Sequence, residues 1–164
     1  MKKMIFKMRL MICMIVAFFV VNSFAAALPT ENRNSIVGYW QTIDDYTHHA
    51  NSVIKIWKQN KRYFGKIDYI YPVDGQKNTD LCTECKGEFH NKLMLGLMIM
   101  KDFKKMSPGY YSKGTIMDPR SGKVYKCHLT LKDEGHRLLV RGYIGISLFG
   151  RTQTWNRISN PHLR

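Results

Sequence analysis

The pattern nearest to a reactive motif in this chain is Cys82-Thr83-Glu84-Cys85. Two thiols at this spacing can cycle with a disulfide or supply half of a zinc site. Thiol–disulfide catalysis gains most from a helix N-terminus, whose dipole lowers a thiol pKa. Here the pair falls in a polar stretch with the acidic Glu84 between the sulfurs, which opposes thiolate formation. A structural link is therefore expected, either a small ring closed by Cys82 and Cys85 or one of the two joined to Cys127. Together with Cys127 they make an odd number after residue 27, so one thiol must be free, intermolecular or metal-bound. A zinc site could draw on Cys82, Cys85, Cys127 and His90 or His128, but the second ligand pair lacks paired spacing, and no metal is expected.

Other chemistries find less support. His48-His49 follows Asp44-Asp45, and adjacent side chains on extended backbone point in opposite directions, so a solvated loop is the simpler reading. Gly145-Ile146-Ser147-Leu148-Phe149-Gly150 is not the Gly-x-Ser-x-Gly turn that exposes a catalytic serine. The 12 acidic residues form no recognisable catalytic pair, and no glycine-rich phosphate loop occurs. The expectation is a protein without catalytic residues or cofactor.

The 164 residues carry 26 Lys+Arg against 12 Asp+Glu, a net charge of +14. Lys2, Lys3, Lys7 and Arg9 precede an unbroken apolar run from Leu10 to Val21, and Ser23-Phe24-Ala25-Ala26-Ala27 then offers small residues for a signal peptidase. The run is shorter than the roughly 20 apolar residues of a spanning helix. Residues 1–27 thus read as a signal peptide, 28–35 as a connector and 36–160 as one domain. The expected location is periplasmic or secreted, with no transmembrane segment after cleavage. Without the leader the balance is 22 basic to 12 acidic residues, +10. In an exported protein that excess points away from nucleic acid; an anionic envelope surface, lipid or glycan, is a possible partner. The basic residues are spread along the chain rather than clustered, which also suits a solvated surface.

The elements that position these residues read as strands. Gly38-Tyr39-Trp40-Gln41-Thr42 begins the first. Val53 to Lys58 and Tyr63 to Ile70 follow, joined by the hairpin-length Gln59-Asn60-Lys61-Arg62, with Tyr63, Ile67, Tyr69 and Tyr71 placed on one face. Pro72 to Asn91 is irregular, and Leu93 to Met100 is ambiguous between a short helix and a strand. Tyr110 to Met117, Lys123 to Lys132, Leu138 to Ser147 and Arg151 to Ile158 complete the set. In the second of these Tyr125, Cys127, Leu129 and Leu131 share one side, with Lys126, His128 and Thr130 on the other. Short strands at this spacing without amphipathic helices predict an all-β, antiparallel, closed barrel of about 8 strands. The charged polar faces speak against a lipid-facing barrel.

Two groups of residues add a resemblance. Gly38-Tyr39-Trp40 at the first strand and Arg157 near the end of the last resemble lipocalin-type barrels, in which a late guanidinium packs over the indole at the closed end. Gly142-Tyr143-Ile144-Gly145, Gly150-Arg151-Thr152-Gln153-Thr154-Trp155 and the turn Asp118-Pro119-x-x-Gly122-Lys123-x-Tyr125 resemble a family of small exported bacterial proteins, domain-of-unknown-function family twenty-one forty-seven. The resemblance runs from about Ile36 to Ile158. It implies a lipocalin-like barrel in the cell envelope, structural roles for Trp40 and Arg157, and no established activity.

A barrel of this kind suits a small apolar or amphipathic ligand, since apolar walls with a few orienting polar groups are what a small-molecule pocket needs. Strand alternation groups Leu139, Arg141 and Tyr143, and groups Gln153, Trp155 and Arg157. Tyr125, Arg141, Tyr143 and Gln153 are accordingly the expected lumen residues, with Met94, Met98 and Met100 as a pliable rim. The competing expectation is a barrel that fills its interior with its own side chains.

Overall fold

The computed structural model describes residues 33–72 and 81–163. The leader reading for residues 1–27 and most of the connector lie outside the described residues. Eight strands follow one another round a closed antiparallel barrel: β1 (Gly38–Ile43), β2 (Ala50–Gln59), β3 (Arg62–Ile70), β4 (Met98–Ser107), β5 (Tyr110–Asp118), β6 (Lys123–Lys132), β7 (Arg137–Tyr143) and β8 (Gly150–Ile158). Each strand pairs with its sequence neighbours, and β8 closes on β1 through Tyr39–Ile158, Trp40–Arg157 and Gln41–Asn156. Closure leaves no unpaired sheet edge, which suits a fold with no amphipathic helix among the described residues to cover one.

The strands are built on alternation, with departures that matter. Leu93 to Leu97 lies outside the strands, whereas β4 continues through the charged residues up to Ser107. Ile144 to Ser147, expected to prolong β7, instead belongs to the connection to β8. A bulge shifts the β2–β3 register so that Val53 faces Tyr69 while Ile54 faces Ile67. One extra residue moves the following side chains to the opposite face. Tyr63 and Ile67 point inward, but Tyr69 and Tyr71 stand outside, where the Tyr71 hydroxyl accepts a hydrogen bond from Gln41 Nε2 at 2.7 Å. The expected single face for these tyrosines is thus corrected.

The interior is packed from the closed end upward. Trp40, Trp155, Tyr111, Phe103, Ile54, Ile56, Met100, Leu129 and Leu138 are all almost wholly shielded from water. Each buried aromatic contributes on the order of 4–6 kcal/mol of apolar burial, measured against an extended chain. Packing is tight enough to exclude a methyl group: a Cβ on Gly65 would meet Met100 Sδ at 2.8 Å, and one on Gly114 would meet the Phe103 ring at 2.4 Å. Met100 is therefore a core residue and not part of a rim.

One end is sealed by Arg157. Its guanidinium lies 4.3 Å over the Trp40 ring. It also donates to the carbonyls of Gly135, Val37 and Ser35, tying the segment before β1 to the β6–β7 connection. The Trp40 indole N–H donates to the Ile36 carbonyl at 2.8 Å, so the buried ring leaves no orphan donor.

The described part of the β3–β4 connection carries a Cys82–Cys85 disulfide. Both cysteines are buried, and Cys85 Sγ sits 3.7 Å from Met117 Sδ. Cys127 is free and buried in the barrel wall, which corrects the alternative of a bridge from the pair to Cys127. The thiol-catalysis reading loses its geometry as well, because the sulfurs are shielded and no helix begins at Cys82. With Cys82 and Cys85 bonded to each other, the zinc alternative loses two of its ligands.

Candidate functional site

In an up-and-down barrel the ends of β1, β3, β5 and β7 and the starts of β2, β4, β6 and β8 gather at one end. Here that end lies opposite the Trp40–Arg157 seal and forms the mouth. Its inner wall continues the inward-facing positions of the strands: Thr42, Ser52, Ile70, Ile116, Tyr125, Gly142, Arg151 and Gln153. Thr42 is nearly buried, but the others are only half-buried or exposed, in contrast to the packed layer beneath. Side chains on the lumen wall thus pass from buried in the lower layers to half-buried or exposed at the mouth.

A ladder of polar contacts climbs from the core to the rim. Trp155 Nε1 donates to Gln153 Oε1 at 3.2 Å, and Gln153 Nε2 donates to Asp45 Oδ2 at 2.6 Å. The same carboxylate oxygen pairs with Arg151, whose side chain is 60% exposed. Beside it, Asp44 Oδ1 accepts from the backbone N–H groups of Tyr46 and Thr47, and its Oδ2 accepts from Arg120. The Thr47 N–H first, then the Arg120 guanidinium and the Tyr46 N–H, hold the Asp44 carboxyl well below the usual carboxylate range. Thr42 and Ser52 hydroxyls lie 2.9 Å apart lower on the same wall.

The arrangement fixes two guanidinium groups at the rim. Each guanidinium has five N–H donors, and a carboxylate partner uses only some of them. The remaining donors of Arg120 and Arg151 can meet an acceptor on a ligand. Below them Ile70, Ile116 and Tyr125 give an apolar wall. Gly142 sits on the same wall, where a Cβ would make ordinary contacts with Tyr125 Cβ at 3.5 Å and Ile116 Cγ2 at 3.6 Å.

Two of the four expected lumen residues face this cup and two do not. Tyr125 and Gln153 are on the inner wall. Arg141 and Tyr143 stand on the outer face of β7, because Leu138 and Val140 take the inward positions at 0% and 3% exposure. The run Leu138-Leu139-Val140 is apolar on both faces, so alternation alone gave no means of choosing its inward side. Outside, Tyr143 lies 5.8 Å from the His128 ring. Arg141 donates to Thr152 Oγ1 and to the carbonyls of Ser147 and Leu148. His128 has its pKa lowered, chiefly by desolvation and secondarily by the nearby Arg141 charge.

Sequence reasoning missed Asp44, Asp45, Arg120 and Arg151. The period of β8 does place Arg151 on the Gln153 side, which was a usable signal. The partnerships were not, since Asp44 and Arg120 are 76 positions apart and Asp45 and Gln153 are 108 apart.

Comparison with known proteins agrees with the closed-barrel fold. The sequence model of a bacterial protein family, described as "Uncharacterized protein conserved in bacteria (DUF2147)", matches residues 38–157. Among solved structures, protein HP1028 from Helicobacter pylori, described as belonging to the lipocalin family, superposes with a TM-score of 0.67. The alignment covers 79% of this chain and 86% of that one at 21% identity, a likeness of fold. No curated protein matches the sequence.

Proposed function

The chain belongs to the DUF2147 family, and from that membership and the barrel's mouth we propose that it binds a small amphipathic molecule without catalysis. The observation that carries this reading is the contrast along the lumen. The inward side chains of the lower and middle barrel are buried, whereas the mouth joins a half-buried apolar wall at Ile70, Ile116 and Tyr125 to the unspent donors of Arg120 and Arg151. An apolar surface with a few fixed polar groups is the usual composition of a ligand site. The bound molecule would rest its apolar part in the cup and present an acceptor group to the rim. It would not thread the barrel. Export to the periplasm or beyond is part of the same proposal, supported by the basic and apolar pattern of residues 1–27.

Native mass spectrometry of protein purified from its own cells without detergent tests this reading. A retained adduct is expected, and Gly142→Leu should remove it while leaving the circular dichroism spectrum unchanged, because the added side chain occupies the cup. A clean unliganded mass for the parent protein overturns the reading.

A further inference from the structure

The connection from β7 to β8 displays four large apolar side chains to water. Ile144, Ile146, Leu148 and Phe149 are 66%, 60%, 74% and 76% exposed, and no charged residue interrupts the stretch. Scattered apolar residues on a surface need no explanation, but four within six positions make a patch that does.

The loop is held in this display. Arg141, on the outer face of β7, donates from Nε to the Ser147 carbonyl at 2.9 Å and from Nη2 to the Leu148 carbonyl at 3.1 Å. The Phe149 N–H donates to the Ile146 carbonyl at 3.2 Å. Gly145, at φ 74°, takes a left-handed conformation that suits glycine, and a Cβ there would meet nothing within 4 Å. The backbone is therefore bonded inward while the apolar side chains are turned out.

The surroundings select the partner. Arg120, Lys123, Lys126, Arg141 and Arg151 border this end of the barrel. Asp44 is paired with Arg120 and Asp45 with Arg151, and Asp118 accepts from the Arg120 N–H and the Ser121 hydroxyl, so Lys123, Lys126 and Arg141 are the basic groups there that no carboxylate among the described residues pairs with. The whole chain carries +14. An apolar tip bordered by cations complements an anionic bilayer, whose headgroups attract the basic groups while its acyl boundary receives the apolar ones.

We propose that the β7–β8 loop inserts Ile146, Leu148 and Phe149 into the surface of an anionic lipid bilayer, with Arg141 as the residue that positions it. This membrane contact is independent of whether the mouth holds a ligand, so either can fail alone.

The test uses the full-length protein with vesicles of phosphatidylglycerol and phosphatidylethanolamine. Leu148→Ser combined with Phe149→Ser should weaken partitioning at least about tenfold, as expected for two lost apolar anchors. The melting temperature should be unchanged, because these side chains are exposed. Both proteins keep residues 1–27, so any contribution from that segment is common to them. In a second readout, Phe149→Trp should give an indole quenched by lipids brominated along the acyl chain, above the background of Trp40, Trp57 and Trp155. Equal partitioning of the two proteins, or an unquenched indole at position 149, overturns the proposal. Loss of lipid-free self-association with unchanged vesicle binding would assign the patch to a second copy of the chain and also overturn it.

Discussion

Cys127 shows how the wall of the barrel sets the chemistry of a single atom. Desolvation pushes its thiol from an ordinary 9.0 up to about 12, opposed only by a contact with the Arg141 backbone. At neutral pH the group is a small apolar filler, and the native protein should not react with a thiol reagent until it unfolds. The same shift has a sign for stability. In the unfolded chain the thiol ionises near pH 9 and in the folded chain near 12, so the folded state loses relative stability as pH rises across that interval. Replacing Cys127 with Ala should flatten the alkaline fall in melting temperature. An equal fall in both proteins would contradict this assignment. Asp44 works in the opposite sense: its lowered pKa contributes stability above the unfolded carboxylate value of about 3.9, and that contribution fades as pH falls toward the folded value. Arg120→Ala should raise the Asp44 titration midpoint toward the ordinary range, read by carbon-detected NMR of the carboxyl. An unmoved midpoint would leave the backbone N–H groups of Thr47 and Tyr46 as the whole cause.

At the scale of strands, what was legible in the sequence was the alternation and what was not was its interruption. Tyr125, Cys127, Leu129 and Leu131 read correctly as one face because β6 runs without a bulge. In β3 one extra residue near Asp68 reverses the faces of Tyr69 and Tyr71, and no residue type announces it. The central part of β4 and β5 carries the same lesson. Asp102 and Lys113 take positive φ angles of 62° and 64°, and between them Phe103 folds over Gly114. That glycine reads in the sequence as a weak strand former, yet in the barrel it is the floor on which an aromatic ring rests. Gly114→Ala should destabilise the protein by about 1–3 kcal/mol, the usual cost of overpacking, measured by chemical denaturation. A neutral result would mean that Phe103 can leave its place without loss. The disulfide was partly legible: Cys-x-x-Cys in a polar loop suggested a ring, but the choice of partner needed the fold, which buries Cys127 in the barrel wall.

Across the whole molecule, function divides by height. The lower barrel is a packed core closed by Trp40 and Arg157, and the proposed site is at the mouth. Composition and strand spacing were enough to expect a closed all-β barrel. They could not locate the proposed site, because its charged partners come from connections that meet only once the barrel closes. Arg141 illustrates this: expected in the lumen, it holds a loop from outside. The most direct test of the cup is amide NMR mapping with lysophosphatidylglycerol as the probe, kept below its micelle concentration. Binding there predicts saturable shifts at Thr42, Ser52, Tyr125, Gly142 and Gln153, quiet signals at Ser35, Gly135 and Arg157, and loss of the response in Gly142→Leu. Shifts gathered at the closed end, or no saturable response at the mouth, would contradict it.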